Sequence, residues 1–333
     1  MARCRHFGAE CLHPIEGNGL SKLRLASKVL AGLALVAACG LAFVWWYDST
    51  GQRADPQFDA TVLHPAYTGG GAPRVAFDVA HRNWHTPTGR YRPFADLLKH
   101  DGYDVAEFST AFSATALSTV KVLIVANAMG PDGHEGHPAF EEKEEIALVD
   151  WARQGGALLL IADHVPFGAA AERLAKRFGV EMFLAFARDD DHHFGWDNER
   201  LLFSRSNGLL ASSPITDGRT PDERIDTVVT FTGQSLSVPE GATPLLRMAD
   251  GAYDWESRSV RHSARGHAQA VAMAFGKGRL IVLGEAGLLS AQIDPLGSRM
   301  GMNMAGNDDR QFALNLLHWL SGALPDAAAV DRH

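Results

Sequence analysis

Apolar residues in this chain fall into short unbroken runs bounded by glycine, with longer stretches of helical spacing between them. The clearest run is Ala157 to Ala162 (ALLLIA), set between Gly155-Gly156 and Asp163-His164. No polar residue interrupts it, as expected of a strand covered on both faces at the centre of a parallel sheet. Arg74–Val79, Tyr103–Phe108 and Lys121–Ala126 read as further strands. Between them, Arg90–Asp101 carries Phe94, Leu97 and Leu98 at helical spacing and stops at Gly102. Phe140–Gln154 places Leu148, Trp151 and Ala152 on one helical face, and Ala170, Leu174 and Phe178 line up after the central strand. This alternation predicts an α/β fold with a doubly wound, mostly parallel sheet.

The rhythm breaks over residues 181–265, a polar stretch with short strands at Thr227–Phe231 and Pro244–Met248, which reads as a β-containing insertion kept within the domain. Gln269–Phe275 and Arg279–Leu283, joined by Gly276-Lys277-Gly278, read as a hairpin. Asp308–Leu320 is a final helix, with Asp308 and Gln311 spaced as a capping box and Gly322 as its stop.

The N-terminal pattern is of another kind. Val29 to Tyr47 has no charge over 19 residues. As a helix it would span ~28 Å, close to a hydrocarbon core of ~30 Å. Lys22, Arg24 and Lys28 precede it and Trp45-Trp46-Tyr47 close it, so the reading is a single transmembrane signal anchor (29–47) behind a basic cytoplasmic segment (1–28). The body then lies outside the inner membrane of a bacterium, on the periplasmic side. A cleaved signal peptide and lipoprotein processing at Val36-Ala37-Ala38-Cys39 are the alternatives; against the second, eight apolar residues follow Cys39. Residues 48–73, ending in three glycines, read as a flexible tether. The domain proper is 74–322 and the tail 323–333.

Charge and cysteine usage narrow the function. The formal net charge is −8, yet residues 1–28 carry +3, leaving −11 on the remainder. That argues against nucleic acid as a partner. The three cysteines are Cys4, Cys11 and Cys39, so the body has no thiolate nucleophile, thiolate metal site or disulfide.

In a parallel sheet the loops after each strand meet on one edge, where ligands bind. The first loop (DVAHRNWH) brings Asp78, His81, Asn83 and His85; the third strand's loop brings Asn127, His134 and His137; the central strand brings Asp163 and His164, and the late strand Glu285. Asp163, His164 and Glu285 are the catalytic candidates, and Asp78, His81, Asn83 and Asn127 the ligand-binding ones. His81, His85, His134 and His137 are candidate ligands for a divalent metal such as zinc. Each has a structural alternative: Asp163 and Glu285 as caps of the helices that follow them, Asp78 as a cap of loop amides, and the histidines as hydrogen-bonded loop residues.

FDVAHRN, GGALLLIADH, GEAG and the terminal NLLHWL together resemble the class I glutamine-amidotransferase-like (flavodoxin-like) fold. In particular they are similar to its membrane-tethered bacterial envelope branch, related to gliding-motility and intraflagellar-transport components. The resemblance implies a cysteine on the corner after the central strand. Here the corner reads Ala162-Asp163-His164-Val165-Pro166, so the thiolate route to glutamine hydrolysis is closed. The expectation is a binding domain for a small molecule, a glycan or an envelope protein. A hydrolase using a metal or Asp163 with His164, and a structural component of an envelope complex, are the alternatives.

Overall fold

The computed structural model describes residues 28–30, 32–37, 39–42, 51–131, 137–196, 198–257 and 260–325. The chain forms two compact units, Met1–Gly51 and Gln52–His333. In the first, the described residues of the apolar run are helical and their side chains exposed. Residues 31, 38 and 43–47 of the expected anchor, and 1–27 before it, lie outside the described residues. Among the described residues no helix is long and apolar enough to cross a membrane.

The second unit is built on a seven-stranded sheet. Its strands in chain order are β1 (Arg74–Asp78), β2 (Asp104–Phe108), β3 (Val122–Ala126), β4 (Ala157–Ile161), β5 (Thr243–Arg247), β6 (Ala268–Phe275) and β7 (Gly278–Leu283). The spatial order is β2-β1-β3-β4-β7-β6-β5. The first five in that order are parallel, and β6 runs antiparallel to both its neighbours. The main helices are α1 (Arg92–His100), α2 (Glu142–Arg153), α3 (Phe167–Arg177) and α4 (Asp309–Ser321).

Every residue of β3 and β4 is buried, as their lack of polar residues requires. Alternation along the strands divides the core in two. Phe77, Ile124, Leu159 and Ile281 pack with Phe94 and Leu97 of α1 and Phe312 and Leu316 of α4. Leu123, Leu158, Leu160 and Val282 pack on the other side with Leu148 of α2 and Leu174 of α3. Each buried aliphatic side chain contributes roughly 1.5–3 kcal/mol, so charge is kept out of β3 and β4 until the strands end, and Asp163-His164 stand at that boundary.

Three expectations change. Residues 52–73 are not a loose tether. Arg53–Ala54 pairs with Ala291–Ile293, Ala60 is buried in the core, and Asp101 accepts from the Ala66 amide at 2.7 Å. Tyr67 packs edge-on to Tyr103 at 4.9 Å. The buried groups beneath this segment need a cover, which its glycine content conceals. Secondly, the insertion supplies β5 to the main sheet and folds two small sheets of its own. Thirdly, α4 has no capping box: the Asp308 carboxylate accepts from the Asp226 and Thr227 amides at 2.9 Å instead, tying the helix start to the insertion. Residues 326–333 of the tail lie outside the described residues.

Candidate functional site

The carboxyl ends of β1, β3, β4 and β7 gather the sequence candidates into two adjacent polar networks. In the first, the loop after β1 is laid across the end of β3 by Trp84 N to Asn127 O at 2.9 Å and Met129 N to His81 O at 3.1 Å. This turns His81 inward. Its Nδ1 lies 2.9 Å from both Asp78 oxygens and its Nε2 3.0 Å from Glu144 Oε1. Asn83 donates to Asp78 at 2.6 Å and accepts from the Ala126 amide at 2.9 Å. Phe112 and Phe140 pack on the ring at 4.4 and 4.9 Å. Burial alone would push the imidazole pKa down, but hydrogen bonding and charge from Asp78, then Glu144, outweigh it and raise the pKa. Both ring nitrogens face carboxylates, the arrangement of an imidazolium staple and not of a metal ligand.

The second network surrounds Asp163. Asn127, at φ 54°, donates to Asp163 Oδ2 at 2.7 Å and to His85 Nδ1 at 3.3 Å. The Ala286 amide donates to Asp163 Oδ1 at 3.0 Å. Burial, with Arg90 nearby, pushes His85 down to about 3, so its imidazole is neutral and accepts at Nδ1. Glu285 takes the amides of Gly287 and, at 2.8 Å, Leu288, capping the short 3-10 turn Gly287–Leu289. Tyr91 closes the floor, its hydroxyl donating to Ala286 O at 2.8 Å. Burial raises the Asp163 carboxyl despite the Asn127 hydrogen bond. Burial, then the charge of Asp163, raises Glu285 well above the carboxylate range.

These raised carboxyls set a pH dependence. The folded state favours protonated Glu285, so its contribution to stability is full below the ordinary value of 4.5 and is lost as pH climbs through the raised folded value. Glu285→Gln should remove part of that decline, up to ~1.4 kcal/mol per pH unit for one proton. Urea unfolding of both proteins between about pH 5 and 8 measures it. Parallel stability curves would mean that Glu285 is ionised in the folded protein.

His164 is turned aside. Its Nδ1 meets Val165 O at 2.7 Å and its ring packs on Phe186 at 4.1 Å. His137 is exposed, and His134 lies outside the described residues. Among the described residues no group of three or more His, Cys, Asp or Glu side chains could hold a metal. His81 also borders a cleft of about 320 Å³ with Arg82, Met129, Phe140 and Glu144.

The rings around this edge are not among the sequence candidates. Trp84 is 47% exposed, carries the Arg90 guanidinium 4.5 Å from its centroid, and lies 6.2 Å from Phe167. Phe167 opens α3, three residues after His164. Beyond His164, Phe186 approaches Trp255 at 5.7 Å, and Arg188 covers Trp255 at 4.1 Å. Trp84 stands within the loop already singled out for its histidines, so the sequence held a signal for it. Phe186 and Trp255 come together only through antiparallel pairing inside the insertion, which spacing does not reveal. Glu144 is hidden among the charges that open α2, and Gln234, which donates to Ala162 O and Asp163 O at 2.8 and 2.9 Å, in the insertion.

No family model and no curated sequence matches the chain. Among solved structures, the mmIFT52 N-terminal domain is similar with a TM-score of 0.55 and 14% identity over 74% of this chain and 97% of that one. A ThuA-like protein from Bacteroides uniformis has a TM-score of 0.43 and 11% identity over 80% of this chain and 95% of its own. A second ThuA-like protein, from Parabacteroides merdae, has 0.43 and 11% over 76% and 91%. The first likeness is one of fold alone. At that level it agrees with the α/β fold and mostly parallel sheet that the strand pattern predicts.

Proposed function

We propose that the Gln52–His333 unit is a ligand-binding module without glutaminase activity, carried outside the inner membrane on the apolar segment 29–47. It holds a small molecule or glycan at the carboxyl edge of the sheet. The observation that carries this reading is a division of labour at that edge. The polar groups expected to do chemistry are taken up by protein partners: Asp163 by Asn127 and Ala286, Glu285 by two amides, His81 by two carboxylates. The partly exposed Trp84, Phe167, His164, Phe186 and Trp255 are left to meet a ligand, two of them backed by arginine. Rings with cationic neighbours suit flat or ring-shaped ligands, which stack without needing a matched set of hydrogen bonds.

Tryptophan fluorescence of the full chain, titrated with a panel of mono- and oligosaccharides and aromatic metabolites, tests it. A saturable change is expected, weakened about tenfold in Trp84→Ala and in Trp255→Ala. A flat response to the whole panel, or variants that bind as the parent does, would refute it.

A second reading is acid–base hydrolysis by Asp163 and Glu285 with His164, motivated by two neighbouring carboxyls whose pKa values burial raises. It needs a route for substrate to groups that are largely buried. Turnover on ester, glycoside or phosphate substrates that disappears in Glu285→Gln would establish it over the binding module.

A further inference from the structure

A separate cleft of about 520 Å³ opens between the segment 59–64 and the start of α4. Arg219 and Arg310 line it, with Val62, Leu63 and Leu314 as apolar wall. The two arginines differ. Arg219 is neutralised by Glu223, with Nε 2.9 Å from Oε1, and gives Nη2 to His64 O at 3.0 Å. Arg310 gives Nη2 to Thr61 O and makes no salt bridge among the described residues. Burial lowers its pKa, and the charges of exposed Asp59 and buried Asp101 offset only part of that. Beneath them, buried Asp101 is occupied by His318 at 2.8 Å and by the Ala66 amide. It leaves Arg310 with long-range attraction and no contact.

We propose that this cleft is an anion site, in which Arg310 pairs with the carboxylate or phosphate of a small molecule whose apolar part lies on Val62, Leu63 and Leu314. Asp59 and Asp222 also line the cleft and oppose an anion, but both are exposed. Their repulsion is weakened by water and salt more than the attraction of the half-buried guanidinium. Among the described residues Nε and Nη1 of Arg310 have no hydrogen-bond partner, and one of them, with the second hydrogen of Nη2, forms the fork that a planar carboxylate or a phosphate accepts. One wall of the site is the segment that leads from the N-terminal unit to β1. Occupancy therefore fastens that segment to α4.

The test is calorimetric titration of the full chain with octanoate and, separately, with inorganic phosphate. Saturable binding of at least one is expected, weakening with added salt. Octanoate alone would assign a carboxylate with an apolar tail, phosphate alone a phosphate group. Arg310→Gln keeps a donor for Thr61 O but removes the charge, and should cost about tenfold in affinity. Leu63 is 81% exposed, so Leu63→Asp leaves folding untouched while placing a negative charge on the wall. It should weaken binding by at least as much and decides the matter if Arg310→Gln folds poorly. No saturable heat with either anion up to about 50 mM, or parental affinity in Leu63→Asp, would overturn the proposal.

Discussion

Replacing His81 with alanine should lower the free energy of unfolding by about 3–5 kcal/mol, the usual cost of removing one member of a buried charged pair. The substitution deletes the ring that both Asp78 oxygens and Glu144 Oε1 face. It leaves two buried carboxylates without their shared cation. They keep only neutral donors: Asn83 and the Ala80 amide for Asp78, and the Phe112 and Glu141 amides for Glu144. The pH profile distinguishes this account from simple loss of packing against Phe112 and Phe140. Because the folded pKa of His81 is raised, its stabilisation is full below the ordinary 6.5 and is lost as pH rises through the folded value. At acid pH the alanine variant regains ground as Glu144 takes up a proton. The deficit, read by denaturant unfolding across pH, should therefore be greatest between the carboxylate and imidazolium ranges. A deficit constant with pH would mean that the ring acts only as filler. This staple also explains why a histidine chosen as a site candidate need not touch a ligand: it fixes the loop that presents Trp84.

The strands, the main helices and the edge on which the candidates meet were legible because each rests on local pattern. Ala157–Ile161 has no polar residue and is wholly buried, and Gly322 ends α4 at φ 93° as its position suggests. Gathering Asp78, His81, Asn127, Asp163 and Glu285 on one edge followed from strand direction alone. What each residue does there was not legible, because it depends on partners distant in sequence. His81 meets Glu144 from α2, Asp163 meets the Ala286 amide 123 positions later, and Asp308 serves the insertion instead of its own helix. The packing of residues 52–73 was hidden for the same reason. Their polar and glycine-rich composition describes the local chain, while Asp101, Tyr103 and Ser321, which they cover, lie elsewhere in the sequence.

Gly284→Ala should be among the most damaging single changes, costing about 3 kcal/mol or more through overpacking and a broken backbone hydrogen bond. A Cβ there would lie 2.2 Å from Gln234 O, a backbone atom with no rotamer to give way. Gly284 cannot retreat either: its amide donates to Gln269 O at 2.8 Å and its carbonyl accepts from Gln234 N at 2.7 Å. The contact has a purpose in the site. Holding residues 233–234 against the end of β7 brings the Gln234 amide onto Ala162 O and Asp163 O, at the corner where the central strand turns into α3. It also sets Glu285 beside Asp163. Pushing the two segments apart should therefore disturb the edge as well as the stability, lowering the unfolding midpoint and altering the tryptophan emission of the folded protein together. Gly70→Ala is the control, since a Cβ there meets nothing within 4 Å and its expected effect is within about 0.5 kcal/mol. If the two variants unfold at the same denaturant concentration, the close approach of Gly284 to Gln234 does not hold the edge together. If only Gly284→Ala falls, the corner depends on a backbone contact that no side chain at position 284 could preserve.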